Sequence, residues 1–231
     1  MEFMIDHGIL SRYPSVKIGV MTGRGLVMGE HDFKGLQEEA IENARKDIGT
    51  APITQHTYIR SWREIYRSFG TKPGDYRPSA EALTRRVLRG RGFPIINAAV
   101  DAYNALSIKH MIPMGGFDLD KVEGAIALRF SEGREVFTPL GSNGTEETYK
   151  GEVVYADEAR ILTRRWNFRD CEETKITRDT ENLVMFADGS PDMPREHVEA
   201  ALNELSTVLR SCCGGQMRTS VACAGTPVVK L

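Results

Sequence analysis

The densest run of reactive side chains is residues 164–177, RRWNFRDCEETKIT. Asn167 both donates and accepts hydrogen bonds, Asp170 can take a proton or orient a water, and Trp166 offers a flat apolar face. Together these suit chemistry in which a carboxylate works on a water molecule. The same run also reads as a polar loop tied by salt bridges among Arg165, Arg169, Asp170 and Glu172, and composition leaves both readings open. A second group lies in residues 93–124. Asn97, Asp101, Asn104 and Ser107 recur at intervals of four, three and three, one narrow face of a helix whose other positions are almost all apolar. Such a stripe either caps loops and satisfies the core or lines a pocket, since an unpaired buried polar group costs roughly 1–3 kcal/mol. Directly after it, Pro113 ends any helix and the Gly115-Gly116 pair frees the backbone, so a flexible elbow presenting Gly115, Gly116 and Asp118 is expected.

Other side chains suit anions rather than protons. Arg85, Arg86 and Arg89 share the face opposite Ala80, Leu83 and Val87 on a helix expected at residues 79–89. They form either a solvated surface or a phosphate-binding one, for which guanidinium forks are well shaped. The five histidines are scattered, and His110 and His197 read as surface residues. Cys171, Cys212, Cys213 and Cys223 make neither a disulfide framework nor a paired CxxC, so no metal and no cofactor are expected. Motifs for dinucleotides, the P-loop, α/β-hydrolases and zincins are absent.

The elements that must hold these groups are legible from periodicity. Amphipathic helices are expected at residues 32–48, with Asp32 as the N-cap, and at 59–69, 79–89 and 195–209, and a buried helix at 95–107. Strands are expected at 15–20, 125–130, 134–138, 152–156, 160–164, 183–187 and 217–223, with turn signals that favour antiparallel connections. At 231 residues, with 41% hydrophobic and 27% charged residues and a net charge of −2, the chain reads as a soluble α/β protein of the α+β type. It is expected to form one compact unit with a mostly antiparallel or mixed sheet flanked by helices. No segment approaches the roughly 18 apolar residues of a membrane span, and no basic leader opens the chain, so a cytoplasmic protein is expected.

Five blocks carry a resemblance: PSAEALTRRV, INAAVDAYNALS, PMGGFDLDKVEGAIALR, GEVVYADEARIL and TRDTENLV. In order and spacing they resemble the B3/B4 domain of the bacterial phenylalanyl-tRNA synthetase beta subunit, over residues 76–189. The resemblance implies a division into residues 1–75, a strand and helices packed on the core, and 76–231, a B3/B4-like domain. In the synthetase this domain edits, hydrolysing the ester of tyrosine misattached to the phenylalanine tRNA. The resemblance therefore implies a freestanding, trans-acting aminoacyl-tRNA deacylase whose partner is the charged end of a tRNA, with a synthetase or another protein as a further partner.

Position by position, the match is mixed. The family's pocket asparagine falls at Asn104, and the threonine beside it at Tyr103. The family's histidine falls at Gly115, its glycine pair at Trp166 and Asn167, and the glutamate that reads the tyrosine hydroxyl at Phe186. The means of selecting tyrosine are thus missing. Two outcomes stand: a pocket rebuilt for another amino acid, or a non-catalytic tRNA- or protein-binding module. On the first, Asp170 polarises water and Asn104 and Asn167 orient substrate. Tyr103, Gly115, Gly116, Asp118, Trp166, Thr174 and Phe186 border the substrate, and Arg85, Arg86, Arg89 and Arg165 meet the sugar-phosphate chain.

Overall fold

Two large sheets, a two-stranded one and six α-helices make up the fold, in a computed structural model that describes residues 1–231. In order they are β1 (Glu2–Ile5), α1 (His7–Arg12), β2 (Lys17–Arg24), α2 (Lys34–Ile48), α3 (Thr57–Ser68), α4 (Ser79–Leu88) and α5 (Ala98–Lys109). Then follow β3 (Met114–Asp118), β4 (Ile126–Phe130), β5 (Val136–Phe137), β6 (Glu146–Glu147), β7 (Val153–Ala156), β8 (Ile161–Arg164) and β9 (Arg169–Asp170). The chain closes with β10 (Leu183–Gly189), α6 (Arg195–Cys213), β11 (Gln216–Ala222) and β12 (Val228–Lys230). The larger sheet has the order β12-β1-β4-β7-β8-β9 and is mixed, because β1 runs parallel to β4. The smaller, β11-β2-β10-β3, is antiparallel throughout, and β5 and β6 form a separate hairpin.

Strand β10 shows how the layers arise. Its side chains alternate, so Val184 and Phe186 join the core between the two sheets, while Leu183, Met185 and Ala187 join the core under α5 and α6. Period two then puts Asp188 on the inter-sheet face, where its carboxylate meets Tyr155 of β7. Helix α3 and its C-cap Phe69 add Trp62, Ile65, Tyr66 and Phe69 to the same inter-sheet core, positions spaced to share one helical face.

The segment 93–124 departs from expectation in two places. The helix starts at Ala98, not at 95, because Asn97 is extended and caps it, accepting the Val100 N–H at 3.0 Å while its amide donates to the Ile176 carbonyl at 3.1 Å. Ile95 and Ile96, expected inside a buried helix, are instead 89% and 47% exposed. The flexible elbow is an edge strand, β3, paired with β10. Its glycines face opposite layers. A Cβ at Gly116 would lie 2.5 Å from the Val184 carbonyl, so only glycine lets β3 approach β10 there. Gly115 faces the inter-sheet side, opposite Phe186. Two smaller corrections follow from local geometry. Phe33, not Asp32, is the N-cap of α2, and Asp32 holds the Lys34 N–H at 2.8 Å. The strand expected at 134–138 contracts to β5: Arg134, left-handed at φ 59°, departs from the extended conformation although its N–H still reaches the Thr148 carbonyl at 2.9 Å.

Candidate functional site

A cavity of about 60 Å³ opens between the end of β10, strand β3, the β8–β9 turn and the start of α4. The turn, residues 165–168, has Arg165 and Trp166 in succession at φ 49° and 67°. Left-handed backbone is uncommon for bulky residues and persists only where the surroundings enforce it. Here Glu152 enforces it by accepting the Arg165 N–H at 3.1 Å, the Val153 carbonyl accepts the Trp166 N–H at 2.7 Å, and the Trp166 ring is fully buried against Trp62 and Tyr13. The glycines that the synthetase is expected to keep here fall at Trp166 and Asn167, so the first of the two occupies a left-handed position without being glycine.

The turn delivers Asn167 into a buried chain of hydrogen bonds. Tyr66 donates to Asn167 Oδ1 at 2.8 Å, Asn167 Nδ2 donates to Asp188 Oδ2 at 3.0 Å, and Tyr155 donates to Asp188 Oδ1 at 2.6 Å. On the other side Asp170, opposite Thr163 in the β8–β9 pair, accepts from that hydroxyl at 2.6 Å. A Cβ added at Gly115 would sit 3.5 Å from Asp170 Oδ2, so the missing side chain leaves the carboxylate open to the cavity. None of the salt bridges considered for the loop forms; Glu172 pairs with Lys175 instead, through the Oε1 oxygen.

Burial raises both carboxyl groups. Asp170 goes up to about 6, with the Thr163 bond pulling the other way, and Asp188 to about 7, where the Tyr155 and Asn167 bonds oppose burial and the Asp170 charge adds to it. Two donors of the lining have no protein partner: Ser79 Oγ, at the first residue of α4, and Trp166 Nε1. A carboxylate near neutrality, an amide held in one orientation and unpaired donors within one cavity can position a carbonyl and activate water.

Of the residues singled out from the sequence, Gly115, Trp166, Asn167, Asp170 and Phe186 converge on this cavity. The others stand elsewhere. Asn104 is partly exposed on α5, outside the lining. Tyr103 packs in the helix-side core, its phenol pushed up by burial and then by the charges of Asp170 and Asp101. Thr174 is buried against Cys171 Sγ at 3.0 Å, and Asp118 ties the end of β3 by accepting from Thr180 at 2.7 Å and from the Asp120 N–H at 3.1 Å. Asp101 and Ser107 serve the backbone, accepting the Ile96 N–H and donating to the Ile112 carbonyl. His110 is not a free surface group: it is half-buried and bonded to Glu204 at 2.8 Å, and His197 meets the His110 carbonyl at 2.9 Å.

Sequence reasoning passed over Ser79, Thr163 and Asp188, together with Tyr66 and Tyr155, which hold the network. Asp188 had a signal, an acid two positions beyond Phe186 at the end of an apolar strand. Thr163 had none, since it matters only through its cross-strand neighbour.

The arginines form a second feature. Arg77, Arg85, Arg86, Arg89 and Arg91 line a groove of about 170 Å³ along α4. Arg85 is also bound to the fully buried Glu81 at 2.9 Å, and Arg86 donates to the Gly92 carbonyl at 3.0 Å. Arg165 lies apart from them, its guanidinium 3.8 Å above the Tyr76 ring.

A family model described as the B3/4 domain matches residues 61–214. Among curated proteins, the phenylalanine–tRNA ligase beta subunit of Fusobacterium nucleatum is 33% identical over 99 residues, covering 42% of this chain and 12% of the relative. That of Colwellia psychrerythraea is 35% identical over 99 residues, with the same coverage of 42% and 12%. That of Aliivibrio fischeri is 26% identical over 157 residues, covering 58% of this chain and 20% of the relative. The chain thus spans only a fifth or less of the length of these relatives. Among solved structures, an N-terminal fragment of the phenylalanyl-tRNA synthetase beta subunit from Pyrococcus horikoshii superposes with a TM-score of 0.45 at 19% identity, covering 94% of this chain and 50% of that one.

Proposed function

The chain belongs to the B3/4 domain family, and on that footing we propose that it is a trans-acting aminoacyl-tRNA deacylase, hydrolysing the ester of a mischarged tRNA with water activated at Asp170. One observation carries the reading. Asp170 lies open to a cavity beside Gly115, where no side chain screens it, and burial brings it near neutrality.

Asp170 takes a proton from water as the water oxygen bonds to the ester carbonyl carbon. The oxyanion that forms accepts a hydrogen bond from Ser79 Oγ. When the bond from carbon to the ribose oxygen breaks, the leaving oxygen receives the proton from Asp170, and the products are a free amino acid and an uncharged tRNA. Asn167, fixed between Tyr66 and Asp188, positions the acyl group and is not consumed. The test is a panel of mischarged tRNAs. Ester loss above buffer is expected for at least one, with a rate that rises as pH passes about 6 because only ionised Asp170 is a base. No ester loss across the panel, with tRNA binding retained, would leave a binding module instead.

The arginine groove supports tRNA as the partner. Ser79 begins α4, Arg77 of the groove lies two residues before it, and Arg86 follows seven residues on, roughly 10 Å along the helix axis from the cavity. That suits an acceptor end whose ester enters the cavity while its phosphates meet guanidinium groups. Reversing Arg86 and Arg89 to glutamate is expected to weaken tRNA binding and to flatten its salt dependence by about 0.7–0.9 in log–log slope for each phosphate that is no longer neutralised. A filter-binding series across salt concentrations measures this, and an unchanged slope would remove the groove from the interface. Arg85 is a poor choice for that test because Glu81 would lose a partner.

A further inference from the structure

The cavity's polar atoms come in two kinds that its own protein does not pair. Asp170 and Asp188 are carboxylates whose partners are neutral: Thr163 for the first, Tyr155 and Asn167 for the second. No ion pair forms at either, although a carboxylate as buried as Asp188, 3% exposed, ordinarily has a cationic partner. The unpaired donors are Ser79 Oγ and the Nε1 of Trp166, a side chain with no exposed surface. A ligand that brings a cation beside the acids and an acceptor toward the donors would complement both sets of groups. Phe117, Tyr155 and Phe186 supply aromatic wall, which favours an ammonium over a neutral group. Size adds a limit, for about 60 Å³ is well under the roughly 150 Å³ of a cavity that encloses benzene.

We propose that the cavity recognises a small α-aminoacyl group with a free ammonium, its side chain of glycine, alanine or serine size, and excludes aromatic ones. The inference rests on the deacylase reading for the ester but not for the binding. The ammonium lies between Asp170 and Asp188, the carbonyl oxygen faces Ser79 Oγ, and Phe186 closes the space a larger side chain would need. The same ammonium could come from the acyl group of a charged tRNA or from a free amino-acid derivative, and both bring the same atoms.

The binding test uses the full chain and ligand-observed NMR with alaninamide, N-acetylalaninamide and tyrosinamide. Alaninamide is expected to bind, and the acetylated and aromatic probes to bind weaker by roughly tenfold or more. Asp188→Asn should cost alaninamide a similar factor; should that variant not fold, the comparison of probes on the unaltered chain decides. A second arm follows ester loss from alanyl-, N-acetylalanyl- and tyrosyl-tRNA, where turnover of the first alone assigns the ammonium to the charged tRNA. Alaninamide binding without ester loss on any tRNA would keep this inference and overturn the deacylase. Equal binding of the acetylated probe, tighter binding of tyrosinamide, or no binding of alaninamide would overturn it.

Discussion

Asp170→Asn is expected to abolish ester hydrolysis and, in the same protein, to raise stability at neutral pH. The first effect follows from the loss of the base and should reach about 10²–10⁴ in kcat. The second follows from linkage. Asp170 is raised from 3.8 to about 6, so between those values the unfolded chain releases a proton that the folded chain keeps. Stability therefore falls as pH rises through that window and stays lowered above it. At about 1.4 kcal/mol per pH unit the full penalty approaches 3 kcal/mol, and the partial exposure of Asp170 at the cavity mouth reduces it to about 1–2 kcal/mol. Asparagine removes the charge while its carbonyl oxygen can still accept from Thr163. Urea denaturation at pH 4.5 and 7.5, beside deacylation rates, checks both halves. A variant that keeps its rate would show that another group is the base. One that loses stability at pH 7.5 would mean that the carboxylate is structural.

Glu152→Ala should have the largest effect on folding, a loss of about 3–5 kcal/mol, because it leaves the buried guanidinium of Arg164 with only the half-exposed Glu146 as a partner. Glu152 has no exposed surface and accepts from Arg164 Nε at 2.9 Å and Nη2 at 2.8 Å, while Glu146 takes Nη1 at 2.6 Å. The substitution also releases the Arg165 N–H, and with it the left-handed turn that aims Asn167. For a domain of this size the melting temperature should drop by about 2–4 °C per kcal/mol. Calorimetry on Glu152→Ala and on the paired Glu152→Leu/Arg164→Met tests the cause: the pair, leaving only the half-exposed Glu146 carboxylate without its partner and no buried charge, should recover much of the stability. A loss below about 1 kcal/mol in the single variant would show that other groups anchor the turn.

The remoteness of Glu152 from the reactive run shows where local reading stops. Residues 164–177 drew attention because their side chains can move protons and hydrogen-bond, and Asn167 and Asp170 do line the cavity. Asn104 drew it through a matching block, yet it sits outside the lining, while Asn97, Asp101 and Ser107 of the same stripe cap and tie the backbone. A helical interval states which residues share a face and nothing about what that face meets.

From the sequence alone came the amphipathic helices at α3, α4 and α6, the alternating strands, the glycine pair, the arginine face and the family. Each rests on intervals of a few residues or on blocks in order, which the chain carries wherever it folds. Tertiary structure alone decided that Ser79, Asp170 and Asp188 share one cavity, that Gly115 and Gly116 face opposite layers, and that the 113–118 segment is a strand. Those depend on sheet order and burial, set by partners distant in sequence. The titration of Asp170 and Asp188 belongs with them, because desolvation is a property of surroundings and not of residue type.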